Sequence, residues 1–223
     1  MPYYDPRIVP AHGGAAANVY LVNEAPGPSE AEALIPLFGQ QGANLYHSLR
    51  KAGIYWALAE MKFCWPIKSF DNANLSYLKR NCSRRGFLDL RSEHIKCTNA
   101  FPQWPKTDEH STDFVDPNKD DVLSPGNLKR LKGEISKRQT VLLVCGEFAY
   151  LACSGKQIVE PSMRERTALT ADELKCINER LGSSFTCGWY MGHTRRWSLN
   201  VEKTSAVLKQ VADAVHWAIE RAD

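Results

Sequence analysis

Short apolar runs alternate with amphipathic segments along most of the chain. Four of these runs have the length and composition of buried strands, and they cover residues 19–23 (VYLVN), 94–99 (HIKCTN), 140–145 (TVLLVC) and 185–191 (FTCGWYM). Alternation of such strands with helices is typical of a layered sheet covered on both faces. The pattern therefore predicts an α/β fold, a three-layer α/β/α sandwich around a central, mostly parallel four-stranded sheet.

Apolar residues with helical spacing mark the segments between and after these strands. They are Leu45, Leu49 and Ala52; Leu128, Leu131 and Ile135; Leu174, Ile177 and Leu181; and Val207, Leu208, Val211, Val215 and Ile219. Thr170 and Glu173 form a capping-box pattern, which predicts the start of a helix that ends at Gly182. We expect these helices to cover the sheet.

Each predicted strand is followed by a loop at its carboxyl end, which is where open α/β sheets bind their ligands. The stretch 101–126 contains four prolines and six acidic residues, and it is expected to be an irregular surface loop. No internal repeat or linker interrupts the chain. Residues 1–223 are therefore expected to form a single domain.

The composition narrows the class of protein. The 223 residues are 43% hydrophobic and 24% charged, which is ordinary globular usage and excludes a fibrous repeat. No apolar stretch reaches the length of about 18 residues that a bilayer span needs, and the first residues lack the apolar run of a secretory signal. We expect a soluble, cytoplasmic protein with no membrane partner.

Seven cysteines are scattered along the chain, and no two of them form a CxxC pair. Chelation by thiolates usually employs at least one such pair, so the sequence predicts neither a metal site nor an iron–sulfur cluster. The scattered, odd set of cysteines also suits a reducing compartment. No cofactor is expected.

The formal net charge of +3 is too small to identify an acidic partner by itself. Basic residues do cluster, at Lys79, Arg80, Arg84 and Arg85; at Lys129, Arg130 and Lys132; at Lys137 and Arg138; and at Arg195 and Arg196. Each cluster taken alone is best explained as the solvated face of a helix.

Side chains that can take part in catalysis or binding lie at or just after the ends of three predicted strands. Glu24 comes directly after the first strand and opens a Pro-Gly turn, and residues 36–42 (PLFGQQG) add glycines that allow close approach to a flat ligand. Asn99 ends the second strand, and its amide offers a donor and an acceptor to one edge of a base. His193 follows the last strand within residues 192–197 (GHTRRW), beside two guanidinium groups and an indole. Taken singly, a Pro-Gly loop or a strand-end asparagine is more often structural.

Taken in order, these segments resemble the uracil-DNA glycosylase superfamily, most closely the branch whose first motif reads GEAPG and is followed by PFVGRAG. Residues 24–42 (EAPGPSEAEALIPLFGQQG) follow the spacing of that branch without a gap. Residues 95–101 (IKCTNAF) are similar to the family's ITNVVK strand end, and residues 140–155 (TVLLVCGEFAYLACSG) to its hydrophobic strand, glycine and short helix. His193 corresponds to the family's terminal HPS or HPA motif. The resemblance covers most of the chain and implies a uracil-DNA glycosylase-like fold.

The resemblance also implies an activity, that of a monofunctional DNA glycosylase that flips out a pyrimidine and hydrolyses its N-glycosidic bond, leaving an abasic site. Glu24 would orient the attacking water, and His193 would stabilise the departing base anion. The residues expected to contact the base are Asn23, Ala25, Gly27, Leu37, Phe38 and Asn99, and those expected to contact DNA are Gly42, Thr194, Arg195, Arg196 and Trp197. DNA is the expected partner of a monomeric enzyme.

Several positions depart from the family pattern. The branch usually carries an iron–sulfur cluster held by four cysteines, which this chain should lack. The phenylalanine that stacks on the base falls at Leu37, next to Phe38, and Thr194 replaces a proline. Gly27 replaces a bulky tyrosine that, in the strictest uracil-specific enzymes, blocks any substituent on pyrimidine C5. The expected substrate is therefore uracil or a bulky 5-modified cytosine, such as the glucosylated hydroxymethylcytosine of phage DNA, and the expected role is DNA repair or antiviral defence.

Two alternatives stay open, a catalytically inactive nucleic-acid-binding relative and a hydrolase that acts on free nucleotides. The presence of both Glu24 and His193 argues against the first alternative. The arginine-rich segment after His193 and the basic clusters argue against the second. The acidic residues between positions 108 and 121 would repel phosphate, so this loop is expected to lie away from the DNA groove.

Overall fold

A parallel sheet of four strands forms the centre of the fold. The computed structural model describes residues 1–14, 16–38, 95–158 and 168–192. In chain order, their strands and helices are β1 (Tyr3–Tyr4), β2 (Val19–Asn23), α1 (Pro28–Ala33), β3 (Ile95–Asn99), β4 (Pro105–Lys106), α2 (Lys119–Val122), α3 (Pro125–Glu134), β5 (Val141–Cys145), α4 (Glu147–Ser154), α5 (Ala171–Leu181) and β6 (Cys187–Met191).

The sheet has the strand order β3-β2-β5-β6, and every neighbouring pair is parallel. Val19 of β2 lies opposite both Ile95 of β3 and Val141 of β5, so the three strands begin at one level. The predicted α/β class and the parallel four-stranded sheet are thus confirmed. Strand β2 also has the predicted bounds, whereas β5 begins one residue later than predicted and β6 two residues later.

Phe185 explains the difference at β6, because its apolar side chain belongs to the core without belonging to the strand. It is buried and stacks on Tyr20, with 6.2 Å between the ring centroids. The next residue, Thr186, donates its main-chain N–H to Thr140 O at 2.8 Å, just ahead of the β5–β6 ladder.

Alternate residues of the strands fill the two faces of the sheet, as the two-residue period of a strand requires. One face contributes Tyr20, Val22, Leu142, Val144 and Tyr190, which pack with Leu131 of α3, Leu151 of α4, and Ile177 and Leu181 of α5. The opposite face contributes Val19, Leu21, Ile95, Cys97, Val141 and Leu143, which pack with Leu37. Because both faces are covered, every residue of β2 and β5 is buried, and these strands appear in the sequence as continuous apolar runs.

Side-chain caps fix the ends of the helices that the sequence predicts. The Thr170 hydroxyl accepts from Glu173 N at 3.3 Å, and the Glu173 carboxylate accepts from Thr170 N at 2.7 Å, so the predicted capping box of α5 is confirmed. Gly182 ends α5 in the left-handed region, with a φ of 66°. Ser124 caps α3 by accepting from Asn127 N at 3.3 Å.

The structure extends or corrects two local expectations. The Pro-Gly segment also begins helix α1, because the Glu30 carboxylate accepts from Gly27 N at 2.6 Å and so caps this helix. The stretch 101–126 is not wholly irregular, because it contains β4, α2 and the start of α3. Within it, Tyr4 OH donates to the Asp121 carboxylate at 2.6 Å. The helices predicted around residues 45–52 and 204–219 lie outside the described residues.

Short segments also pair with the two outer strands of this sheet. His12 exchanges main-chain hydrogen bonds of 2.8 and 2.7 Å with Cys97 of β3, and Leu169 N donates to Gly188 O of β6 at 2.8 Å. A separate observation is that the helices of the described ranges are all too short or too polar to cross a membrane.

Candidate active site at the carboxyl edge of the sheet

The strand order places a switch point of the chain connections at one edge of the sheet. β3, the strand that follows β2 in the described chain order, lies on one side of β2, whereas β5 and β6 lie on the other side. The connections therefore diverge between β2 and β5, and in open α/β sheets the carboxyl ends of such a strand pair frame the ligand site. Here β2 ends at Asn23 and β5 ends at Cys145, so Glu24 and Gly146 are the first residues beyond these two strand ends.

Glu24 lies at this edge of the sheet, directly after β2. Its side chain points toward the amino end of α4, where Glu24 Oε1 accepts from Phe148 N at 3.3 Å. The residue is only 8% exposed. A carboxylate is well placed at a helix amino end, because the first N–H groups of the helix lack partners and carry partial positive charge.

Gly146 makes this contact possible. It precedes α4 with a φ of 97°, a backbone conformation that residues other than glycine rarely adopt. A Cβ atom at this position would lie 2.2 Å from Glu24 Oε1. Glycine at residue 146 is therefore required both by the backbone conformation and by the closeness of the Glu24 carboxylate.

The pKa of Glu24 is raised to about 7, chiefly by burial; the neighbouring charges of Asp116 and Glu147 contribute to the rise, and the main-chain N–H groups of Phe148 and Glu147 oppose it. The carboxyl group therefore changes charge near neutral pH, which is the range in which a general base is most effective. Asp116 of the acidic loop thus lies close enough to Glu24 to raise its pKa. That the loop lies away from the DNA groove stays a prediction.

Asn99 lies beside Asn23 at the ends of two paired strands. The two residues face each other in the β2–β3 register, and Asn23 Nδ2 donates to Asn99 Oδ1 at 3.4 Å. Both side chains are fully buried. Within the described ranges, Asn99 Nδ2 has no hydrogen-bond acceptor. Since a buried donor without an acceptor is costly, this amide is a candidate contact for a ligand.

The loop after Glu24 is held by Glu30. Its carboxylate accepts from Gly27 N at 2.6 Å and from Leu37 N at 3.0 Å, which ties the start of α1 to the segment after it. Ala25 is fully buried in the core, and Leu37 packs against the sheet with a φ of 57°. Phe38 is half-buried. The structure thus brings Asn23, Glu24 and Asn99 together at the carboxyl edge of the sheet, while Ala25 and Leu37 are buried in the core.

The remaining predicted site residues are Gly42, His193, Thr194, Arg195, Arg196 and Trp197, and all of them lie outside the described residues. Gly192 is the last residue described before them. Its carbonyl oxygen lies 3.7 Å from Cys145 Sγ, at the carboxyl end of β5.

Sequence reasoning missed the importance of Arg130 and Asn127. Arg130 was expected on a solvated basic face, but its guanidinium bonds the end of β3, where Nη2 donates to Asn99 O at 2.7 Å. Asn127 Nδ2 donates to Ala100 O at the same distance. In the sequence, only their spacing of three residues on one predicted helix connects these two side chains, and this signal is weak. Lys129 and Lys132 are exposed, as predicted.

Comparisons with known proteins leave the family open, because neither a family model nor a curated protein matches this chain. The described residues contain no group of three or more His, Cys, Asp or Glu side chains that could hold a metal ion. The candidate site is therefore defined by its carboxylate and its amides.

Proposed function

We propose that this protein is a DNA glycosylase with a uracil-DNA glycosylase-like fold, a three-layer α/β/α sandwich, and that it excises a pyrimidine base from DNA. The observation that carries the proposal is the contact of Glu24 with the amino end of α4, beside the Asn23–Asn99 pair, at the carboxyl edge of the sheet. A carboxyl group that ionises near neutral pH and a buried amide with an open donor are the groups that this reaction needs.

Hydrolysis of an N-glycosidic bond assigns a step to each group. Ionised Glu24 orients a water molecule toward the anomeric carbon and favours the positive charge that develops on the sugar. The water oxygen bonds to that carbon while the bond to the base nitrogen breaks. The base leaves with the electron pair as an anion, which His193 stabilises by a hydrogen bond, and the proton that the attacking water loses balances the proton that the base takes up. The product is an abasic site.

The orientation of Asn99 supports uracil as the base. Its oxygen already accepts from Asn23, so the Nδ2 group is the part of the amide left to meet a ligand. An N–H donor suits a carbonyl oxygen, which uracil carries where cytosine carries an amino group. A modified cytosine is supported by the sequence alone, since Gly27 carries no side chain at the position where the strictest uracil-specific enzymes have a tyrosine.

Access to a stacked base requires that the nucleotide rotate out of the duplex. In this proposal, Thr194, Arg195, Arg196 and Trp197 contact DNA around the vacated position, with Gly42 at the backbone. DNA is the partner and no cofactor takes part.

The test is an assay of released bases. Single- and double-stranded oligonucleotides that carry uracil, hypoxanthine or glucosylated hydroxymethylcytosine are incubated with the protein, and abasic sites are cleaved with alkali. We expect strand breakage with at least one pyrimidine, its abolition in Glu24→Ala, and full activity in Glu179→Gln, an exposed glutamate on α5. Absence of cleavage with every base, or full activity of Glu24→Ala, would reject the proposal.

Two further arms test the alternatives. His193→Ala should slow base release by about a hundredfold, as the loss of one anion-stabilising donor does. Free deoxynucleotides carrying the same bases should not be hydrolysed. Hydrolysis of the free nucleotides without cleavage of the oligonucleotides would favour a nucleotide hydrolase instead.

A further inference from the structure

Helix α3 holds the end of β3 through two side chains, Arg130 and Asn127. We infer that these two residues act together as positioning residues, fixing Asn99 and Glu24 relative to each other across the candidate site. The inference rests on the proposed function for its catalytic consequence, but the contacts themselves are independent of it.

Arg130 makes most of the hydrogen bonds between α3 and the end of β3. Its Nη2 donates to Asn99 O at 2.7 Å and to Ala100 O at 3.2 Å, and its Nη1 donates to Thr98 Oγ1 at 3.1 Å. One guanidinium thus bonds three consecutive residues of the chain at the point where β3 ends. A planar group with several fixed donors can do this, whereas the single ammonium of a lysine cannot.

Asn127 completes the arrangement from the preceding turn of α3. Its Nδ2 donates to Ala100 O at 2.7 Å and to Val122 O at 2.7 Å. Its Oδ1 accepts from Arg130 Nε at 3.1 Å and from Nη2 at 2.9 Å. The amide therefore bonds the same carbonyl as Arg130 and also orients the guanidinium.

The other side of the same peptide groups faces the candidate site. Ala100 N donates to Asn23 O at 2.6 Å, and Phe101 N donates to Glu24 O at 3.0 Å. The segment that α3 holds by its carbonyl groups therefore holds the main chain of Asn23 and Glu24 by its N–H groups. A continuous path of hydrogen bonds leads from Arg130 to the residue proposed to orient the water.

The charge of Arg130 is balanced within the fold, so it is not free to bind phosphate. Its Nη1 lies 2.6 Å from Glu134 Oε1, and the two side chains are 20% and 14% exposed. Glu134 Oε2 in turn accepts from Tyr20 OH at 3.0 Å. These contacts fix the guanidinium in one orientation, which is what a positioning role requires.

Small displacements at such a site are expected to slow catalysis more than they weaken binding, since misplacement of a reacting group by about 1 Å can cost about a hundredfold in rate. Arg130→Lys keeps the charge but loses the planar set of donors. Asn127→Asp keeps the acceptor for Arg130 but loses the donor to Ala100 O. Each should lower kcat by about tenfold or more while KM for DNA changes little, and the double variant should lose less than the product of the single effects.

Readouts that need no substrate separate this inference from the proposed function. We expect faster amide exchange at Ala100 and Phe101 in Arg130→Lys. We also expect a lower pKa of Glu24, followed by carboxyl 13C NMR and assigned by comparison with Glu24→Gln, because a loosened site admits water. Arg138 is an exposed arginine just before β5, at the opposite edge of the sheet. The Arg138→Lys variant is therefore the matched control, and it should change neither the exchange rates nor the pKa of Glu24.

A fall in melting temperature alone, with kcat, the Glu24 titration and the two amide exchange rates all unchanged, would show that Arg130 only stabilises the fold and would overturn the inference. An inactive wild-type protein would reject the proposed function. The exchange rates and the titration would still decide whether Arg130 positions Asn99 and Glu24.

Discussion

The carboxylate of Glu24 occupies the space that a side chain at residue 146 would need, because a Cβ there would lie 2.2 Å from Glu24 Oε1. This relationship joins the end of β2 to the start of α4. It also makes the glycine and the glutamate interdependent, although 121 residues lie between them in the sequence.

Gly146→Ala tests that dependence. The methyl group must displace the Glu24 carboxylate, and alanine is also strained at a φ of 97°. We expect a loss of about 2 kcal/mol or more in the free energy of unfolding, together with a large loss of base release. Urea denaturation and the oligonucleotide assay measure the two effects.

Gly182→Ala is the control for Gly146→Ala. Gly182 also has a positive φ, of 66°, but a Cβ there would meet no atom within 4 Å. It should cost about 1 kcal/mol and leave the activity intact. Equal activity of the two alanine variants would contradict the role assigned to the Glu24–Gly146 contact.

The activity should depend on pH through Glu24. Burial raises the pKa of this carboxyl group to about 7, and only the ionised form can orient water as a base. The value of kcat/KM should therefore rise with pH up to about 7 and then level off. A profile on uracil-containing DNA that is flat from pH 5 to 8 would count against ionised Glu24 as the base.

Stability should change with pH in the opposite direction. Because the folded protein binds the Glu24 proton more tightly than the unfolded chain does, this stabilising contribution is full below the unfolded pKa, near 4.5, and is lost as pH rises toward 7. Glu24→Gln mimics the protonated form, and its side-chain oxygen can still accept from Phe148 N. The variant should be more stable than the wild type at pH 8, by roughly 2 kcal/mol, and about equal to it at pH 4.

Denaturant titrations at the two pH values measure this difference, and Glu179→Gln is again the control because that glutamate is exposed. A Glu24→Gln variant that is less stable than the wild type at pH 8, but about equal to it at pH 4, would show that the negative charge stabilises α4 more than burial disfavours it.

Asn99→Ala should reduce recognition of the base. The variant removes the Nδ2 donor that has no acceptor among the described residues, and it leaves the Asn23 amide without its 3.4 Å contact. We expect kcat/KM on uracil-containing DNA to fall by about tenfold to a hundredfold, while affinity for undamaged duplex is unchanged. An equal fall in affinity for undamaged DNA would indicate a general structural defect.

Local signals predicted the elements well where one short segment contains all the information. The run VYLVN is bounded by polar residues and became β2 as predicted, and the Thr170–Glu173 spacing fixed the start of α5. Helix α1 was missed because Pro26, Gly27 and Pro28 have the composition of a turn. Pro28 at the first helical position and Glu30 two residues later were the available helix signals.

Contacts between distant segments were beyond such reasoning. The bonds from Arg130 to Asn99 and Ala100 span about thirty residues, and no pattern within α3 distinguishes Arg130 from its exposed neighbour Lys129. The effect of Asp116 on Glu24 is of the same kind, because it depends on how the acidic loop folds back toward the sheet.

The segments that pair with the outer strands have a consequence for behaviour at high concentration. An exposed strand offers a row of main-chain donors and acceptors to which a second polypeptide can add, and this is a common start of aggregation. His12 on β3 and Leu169 on β6 each occupy part of that row. At those positions the main chain is already bonded and offers no place for an added strand.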